Sequence, residues 1–158
     1  MQKIRSQKDI ISLARRLKKS GNTIALISGC FDILHKGHVH VLEESKKQGD
    51  VLVVLLNSDR SVKSYKGPTR PIVGEKDRAT VLAALRAVDY VVLFNERVPL
   101  ALVEAIQPDV YCNGSDWGTD FPERKVVEAY GGRIHLIKIK KGTSTSSIID
   151  KILKKGKK

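Results

Sequence analysis

The sequence predicts an α/β fold: a Rossmann-like, doubly wound parallel sheet of about five strands flanked by helices. Three observations carry this expectation. Short β-rich apolar runs alternate with helical segments of 10–15 residues along most of the chain. One run, VLVVLLN (51–57), is continuously apolar, as suits a strand buried on both faces of a parallel sheet. A glycine-flanked polar turn follows the first apolar run and opens a helix. Such sheets bind ligands outside the carboxyl ends of their strands.

The elements follow in order. Segment 6–19 places Ile10, Ile11, Leu13, Ala14 and Leu17 on one face of an amphipathic helix, with Ser6 as N-cap and Gly21 as the stop. TIALIS (23–28) is a strand ending at Gly29, and a helix over 37–48 closes at Gly49. After strand 51–57, the polar stretch 58–74 reads as a loop containing Gly67, Pro68, Pro71 and Gly74. EKDRATVLAALRAV (75–88) is a helix with Val81, Leu82, Leu85 and Val88 on one face. Then come strand 89–94, helix 98–107, strand 109–113, a loop, a helix near 122–130, strand 133–139 and a last helix over 145–154. No repeat or long Pro/Gly/Ser-rich linker interrupts the pattern. The 158 residues are expected to form one domain, with an N-terminal helical segment to residue 20 and a basic tail at 154–158.

Composition narrows the function classes. At 41% hydrophobic and 29% charged, the chain is neither disordered nor fibrous. No apolar run approaches the roughly 20 residues that span a bilayer, and MQKIRSQKDIISLARRLKKS has no apolar leader core. Cys30 and Cys112 allow at most one bridge, so a cytoplasmic protein is expected. The net charge of +12 invites a nucleic-acid reading. That charge is confined to the ends: residues 1–19 hold seven basic and one acidic residue, and 138–158 hold eight and one. The middle is close to neutral. No aromatic–basic interleaving or nucleic-acid motif accompanies the basic ends, so nucleic acid is not the expected partner. A non-enzymatic polyanion-binding module built on those ends is the rival of another class.

The sharpest feature is GCFDILHKGHVHVLEE (29–44). Gly29 ends the first strand, where a side chain would obstruct a ligand. Phe31 and Leu34 suit anchors in the core, and Asp32 suits a brace for the turn through backbone hydrogen bonds. His35 and His38 flank Gly37. With a helix opening near Lys36, both imidazoles join unpaired backbone N–H groups at the positive end of the helix dipole. That is an anion site. Each histidine also admits a plain turn role. Zinc is disfavoured, because no Cys/His/Glu cluster accompanies the pair.

G-x-F-D-x-x-H-x-G-H after the first strand resembles the signature of the cytidylyltransferase-like nucleotidyltransferase superfamily. The resemblance runs over about residues 23–153. KGPTRPI (66–72), EKDR (75–78) and VLAALRAVDYVV (81–92) look most like the adenylyltransferase half of bifunctional heptose-phosphate kinase/adenylyltransferases. RAVDYV (86–91) is also similar to a motif of glycerol-3-phosphate and phosphoethanolamine cytidylyltransferases, although Arg86 and Asp89 also suit a structural pair. GTSTSSI (142–148) resembles the family's second phosphate-binding motif. Two departures stand out: Asn113 replaces a lysine usual in the heptose type, and Thr143 stands where an arginine often does. Gly114-Ser115-Asp116-Trp117 is closer to the glycerol-3-phosphate type.

The resemblance implies transfer of a nucleotide from a nucleoside triphosphate to a phosphorylated sugar or alcohol, with release of pyrophosphate. ATP and heptose 1-phosphate are the expected substrates, and CTP with glycerol 3-phosphate or a related alcohol phosphate is the alternative. His35, His38 and Lys66 are the catalytic candidates. Gly29, Cys30, Phe31, Gly37, Asn113, Asp116, Trp117, Gly142, Thr143, Ser144 and Thr145 are the nucleotide-binding candidates. Asn57 and Arg70 are the candidates for substrate binding. Mg²⁺ is expected to bridge nucleotide phosphates with few protein ligands. A homodimer matches the family habit.

Overall fold

The computed structural model describes residues 2–139, 142 and 144–156, with Trp117 in its backbone only. Alternate residues of the central strands feed two separate cores, which is why these strands are apolar at consecutive positions. In β2 (Ile24–Gly29), Ile24 and Leu26 face one layer while Ala25 and Ile27 face the other. In β3 (Val51–Asn57), Val53 and Leu55 alternate in the same way with Leu52, Val54 and Leu56. The first layer takes Ile10 and Ala14 of α1 (Gln7–Lys19), Leu102, Val103 and Ile106 of α5 (Leu100–Ile106), and Val127 of α6 (Pro122–Ala129). The second takes Leu42 of α2 (Lys36–Lys46) with Ala79 and Leu82 of α4 (Glu75–Ala84).

With β1 (Ile4–Arg5), β4 (Tyr90–Phe94), β5 (Val110–Gly114) and β6 (Arg133–Ile137), the sheet is six-stranded and parallel, in the order β1-β4-β3-β2-β5-β6. The chain runs outward from β2 through β3 to β4. It then returns to the other side of β2 for β5 and β6. That reversal sets the topological switch at the carboxyl ends of β2 and β5.

The expected doubly wound fold is present, with three local differences. β1 is an additional strand whose two residues are too few to show a pattern. The stretch expected as loop contains α3 (Asp59–Lys66), capped by Ser58, which accepts the N–H of Ser61 at 3.2 Å. Val62 is its one buried apolar residue, so no stripe marks it. α4 stops at Ala84 rather than 88, and Val81, expected on the buried face, is 45% exposed.

Three aspartates stitch the amino edge of the sheet. Asp50, Asp89 and Asp109 accept the backbone N–H of Thr23, Leu52 and Ile24 at 2.8, 2.7 and 2.8 Å. Asp89 also pairs with Lys46 at 2.7 Å, so its partners are Lys46 and the β3 backbone rather than the expected Arg86. Cys30 and Cys112 are both buried free thiols.

Candidate active site

β2 ends at Gly29 and the chain turns sharply into α2. The turn holds two non-glycine residues in the left-handed region, Phe31 (φ 48°) and Ile33 (φ 44°). Such a backbone costs of order 1–3 kcal/mol per residue and persists only where its surroundings enforce it. Here the enforcement is visible. The Phe31 ring packs into the core, and a Cβ on Gly29 would meet it at 2.9 Å. The Phe31 ring is thus a reason within the fold for glycine at position 29.

Asp32 does not brace its own turn. Its carboxylate reaches across to the loop between α3 and α4, accepting the N–H of Ile72 and Val73 and the Nε–H of Arg70, each at 2.9 Å. Burial alone would raise its carboxyl pKa, but the bonds from Val73, Ile72 and Arg70 hold it below the usual value. The Asp32 carbonyl meanwhile accepts the hydroxyl of Thr145 at 2.6 Å. Thr145 opens α7 (Thr145–Lys155), whose N-cap Ser144 forms a reciprocal box with Ser147. One residue thus ties together the turn, the 67–74 loop and the start of the last helix.

His35 is the N-cap of α2, its Nδ1 accepting the N–H of Gly37 at 3.1 Å. In the neutral ring this leaves the proton on Nε2. His38 stacks on His35 with ring centroids 3.9 Å apart, and Phe31 tilts against its other side at 5.4 Å. Burial, with the nearby His35 and Lys66 charges, pushes the His38 pKa down to about 4, and burial lowers that of His35. Both rings are neutral at pH 7. The Nδ1 of His38 is buried without a hydrogen-bond partner among the described residues, a position that suits a bare lone pair better than an N–H. The result is a pair of neutral imidazole donors at a helix N-terminus, at the switch point of the sheet.

The other expected residues distribute around this centre. Lys66 is exposed at the end of α3, close enough for its charge to weigh on His38. Arg70 lies beside the turn but is committed through Nε to Asp32. Asn57 is only 4% exposed and donates its amide N–H to the Ser61 hydroxyl at 2.9 Å, bracing β3 against α3. Of Cys30, a nucleotide-binding candidate, the carbonyl accepts an N–H from Nη1 of Arg78. Asn113 is the half-buried penultimate residue of β5, with its side-chain oxygen accepting the Gly114 N–H at 3.0 Å. Asp116 is exposed in the following helical turn, Ser115–Trp117. Gly142 adopts φ 122° ahead of α7. Thr143, Lys140, Lys141, the tail residues Lys157 and Lys158, and the Trp117 side chain lie outside the described residues.

Arg78 is the residue that sequence reasoning missed. Its side chain is buried, donating from Nε to the Val73 carbonyl, from Nη1 to the Cys30 carbonyl and from Nη2 to Asp59. The signal was available, since Arg78 lies four residues before the buried Leu82 on the apolar face of its helix.

Comparison with known proteins decides the family. The cytidylyltransferase-like family model matches residues 26–151. The chain belongs to the cytidylyltransferase-like family. Among curated relatives, it is 46% identical over 154 residues to the bifunctional protein HldE of Geotalea uraniireducens, covering 95% of this chain and 31% of that protein. It is 44% identical over 149 residues to the HldE of Syntrophotalea carbinolica, covering 94% and 30%. The chain spans about 30% of the length of these relatives. Among solved structures, it is similar to a lipopolysaccharide core biosynthesis protein from Thermoplasma volcanium, with a TM-score of 0.62 and 32% identity over 78% of this chain and all of that one. A pantoate–beta-alanine ligase from Francisella tularensis shares the fold at a TM-score of 0.64 and 15% identity, covering 90% of this chain and 69% of that one. In this family member, the imidazole pair sits where the strand order reverses.

Proposed function

We propose that the chain is a nucleotidyltransferase that transfers AMP from ATP to the phosphate of a sugar phosphate, with D-glycero-β-D-manno-heptose 1-phosphate as acceptor, giving ADP-heptose and pyrophosphate. One observation carries the reading: two neutral, stacked imidazoles stand at the N-terminus of α2, and the hydroxyl-rich start of α7 is tied to the same turn. Two anion cradles on separate elements suit one extended polyphosphate. The adenylyl and heptose assignment is supported by the KGPTRPI and EKDR stretches and by the similarity to bifunctional HldE proteins and a lipopolysaccharide core biosynthesis protein.

An acceptor phosphate oxygen attacks the α-phosphorus in line. The bond from that phosphorus to the α,β-bridging oxygen breaks, and pyrophosphate leaves with the electron pair. A phosphomonoester is already largely dianionic at pH 7, its second pKa being about 6, so no general base is required. Catalysis is positioning and charge stabilisation. His35 and His38 donate from Nε2 to α- and bridging-phosphate oxygens, Lys66 neutralises charge beside them, and Ser144, Thr145 and the α7 amides hold the β/γ end. Arg70 contributes through its hold on Asp32, while Asn113 and Asp116 border the base or ribose.

Magnesium fits this site as a passenger on the nucleotide. No three His, Cys, Asp or Glu side chains converge among the described residues, and three N–H groups occupy the Asp32 carboxylate. Bound to phosphate oxygens, it would neutralise charge there. As the family resemblance implies, the enzyme acts as a homodimer, with residues 1–158 supplying its nucleotidyltransferase domain, and its two buried free thiols suit the cytoplasm. No helix among the described residues is long and apolar enough to cross a membrane.

The test is a matrix of the four nucleoside triphosphates against heptose 1-phosphate, other sugar phosphates and glycerol 3-phosphate, scored for pyrophosphate. Turnover with ATP and heptose 1-phosphate is expected. CTP with glycerol 3-phosphate as the preferred pair would replace the assignment, and no pyrophosphate from any pair would overturn it.

A further inference from the structure

Tyr65 and Arg97 have no part in the site described so far. Tyr65 is half-buried near the end of α3. The Lys66 ammonium lies 5.8 Å from its ring centre, and the Arg97 guanidinium carbon 5.9 Å. The two cations come from different strand exits: Lys66 closes the helix after β3, and Arg97 lies in the connection after β4. Both are exposed, and neither makes an ion pair among the described residues. Arg70, also close to Tyr65, differs in being paired with Asp32. Burial pushes the Tyr65 hydroxyl up to about 12, so the ring stays neutral.

Two cations held on one neutral ring, neither of them ion-paired among the described residues, repel each other. Their place is the carboxyl edge of the sheet, where α/β proteins bind ligands. The Lys66 charge reaches His38 on one side. Arg97 stands on the outer side, towards β4 and away from the β2/β5 switch.

Resting on the nucleotidyltransferase reading, we infer that Lys66 and Arg97 form the acceptor site. Lys66 holds the reacting phosphate beside the imidazoles, and Arg97 grips the far oxygens of a sugar-sized acceptor. Tyr65 is the positioning residue that orients both cations. On this reading Arg97 meets oxygens that a sugar phosphate carries and a three-carbon alcohol phosphate lacks, so it favours sugar phosphates. Its planar fork of donors suits paired hydroxyl or anionic oxygens.

The experiment uses the full chain and its Arg97→Ala, Tyr65→Leu and Tyr65→Phe variants. Steady-state kinetics are read with ATP and either heptose 1-phosphate or glycerol 3-phosphate. Binding of heptose 1-phosphate is read by calorimetry in the presence of α,β-methylene-ATP. Arg97→Ala should raise the KM for heptose 1-phosphate roughly tenfold or more, as loss of a charge-assisted contact does. The KM for ATP should stay within about twofold. Tyr65→Leu should follow Arg97→Ala, and Tyr65→Phe should restore the wild-type value. Sugar-phosphate affinity equal in wild type and Arg97→Ala, with turnover intact, overturns this inference and leaves the proposed activity standing. Wild type that binds heptose 1-phosphate in an Arg97-dependent way but releases no pyrophosphate overturns the activity and supports the site. No sugar-phosphate binding by wild type overturns both.

Discussion

The carboxylate of Asp32, 1% exposed, accepts the Nε–H of Arg70 at 2.9 Å across 38 residues of sequence. The same carboxylate takes two backbone N–H groups of the 67–74 loop, so it is the clasp between that loop and the imidazole turn. Asp32→Ala strands the Arg70 charge and leaves two N–H groups without acceptors. Breaking a buried pair from one side costs about 3–5 kcal/mol. The expected result is a stability loss near 3 kcal/mol in urea denaturation. Arg70→Ala, which removes the partly exposed partner, should cost less. Equal losses for the two would mean the clasp depends on the ion pair alone and not on the backbone bonds.

The buried Nδ1 of His38 has no hydrogen-bond partner among the described residues, so exchanging the ring for another polar side chain should spare the fold. Losing one preorganised donor typically costs ~3–4 kcal/mol of barrier, roughly 100–1000-fold in rate. His38→Asn is expected to lower kcat by that factor while circular dichroism and thermal midpoint change little. A well-folded variant with near-normal kcat would remove His38 from the reaction.

The depressed pKa of His38, about 4 against an ordinary 6.5, also makes a stability statement. Between those values the unfolded chain binds a proton at this ring that the folded chain refuses. The unfolded state therefore binds more protons, and stability falls as pH drops through that window. His35 acts in the same direction. Asp32, whose pKa is lowered from 3.8, contributes stability above that value and loses it only below, outside the window. Urea midpoints taken between pH 7 and 4.5 should decline, and His38→Asn should flatten the decline. An identical slope in the variant would mean His38 titrates normally.

Much of this architecture is legible because burial on two faces forces a visible pattern. VLVVLLN stands as β3 over the residues expected, and Ser144–Thr145 open the last helix. The imidazole turn was legible because its chemistry is local: two histidines three residues apart, with a glycine between them, at a strand exit. What sequence hid was long-range or polar. α3 escaped because Val62 is its one buried apolar side chain. Asp32 was read as bracing its own turn because its partners lie 38 to 41 residues away. Arg78 was passed over within EKDR: its place four residues before Leu82 was legible, but the three acceptors that hold it, at Val73, Cys30 and Asp59, were not. Asn57, polar and at a strand end, looked like a ligand contact but spends its amide on Ser61.

The tether between Thr145 and the Asp32 carbonyl gives the last test. None of the described side chains of α7 is fully buried, and Ile152 and Leu153 are largely exposed, so the helix is held to the body mainly at its amino end. Thr145→Val keeps the shape and removes the hydroxyl. Because a net hydrogen bond contributes about 1 kcal/mol, global stability should fall by no more than that. The start of α7, however, would lose its fixed place on the imidazole turn at Asp32. If that start cradles the triphosphate, the KM for ATP should rise roughly tenfold while the KM for the acceptor stays near wild type, and Thr145→Ser should restore it. An unchanged KM for ATP in Thr145→Val would separate α7 from nucleotide binding.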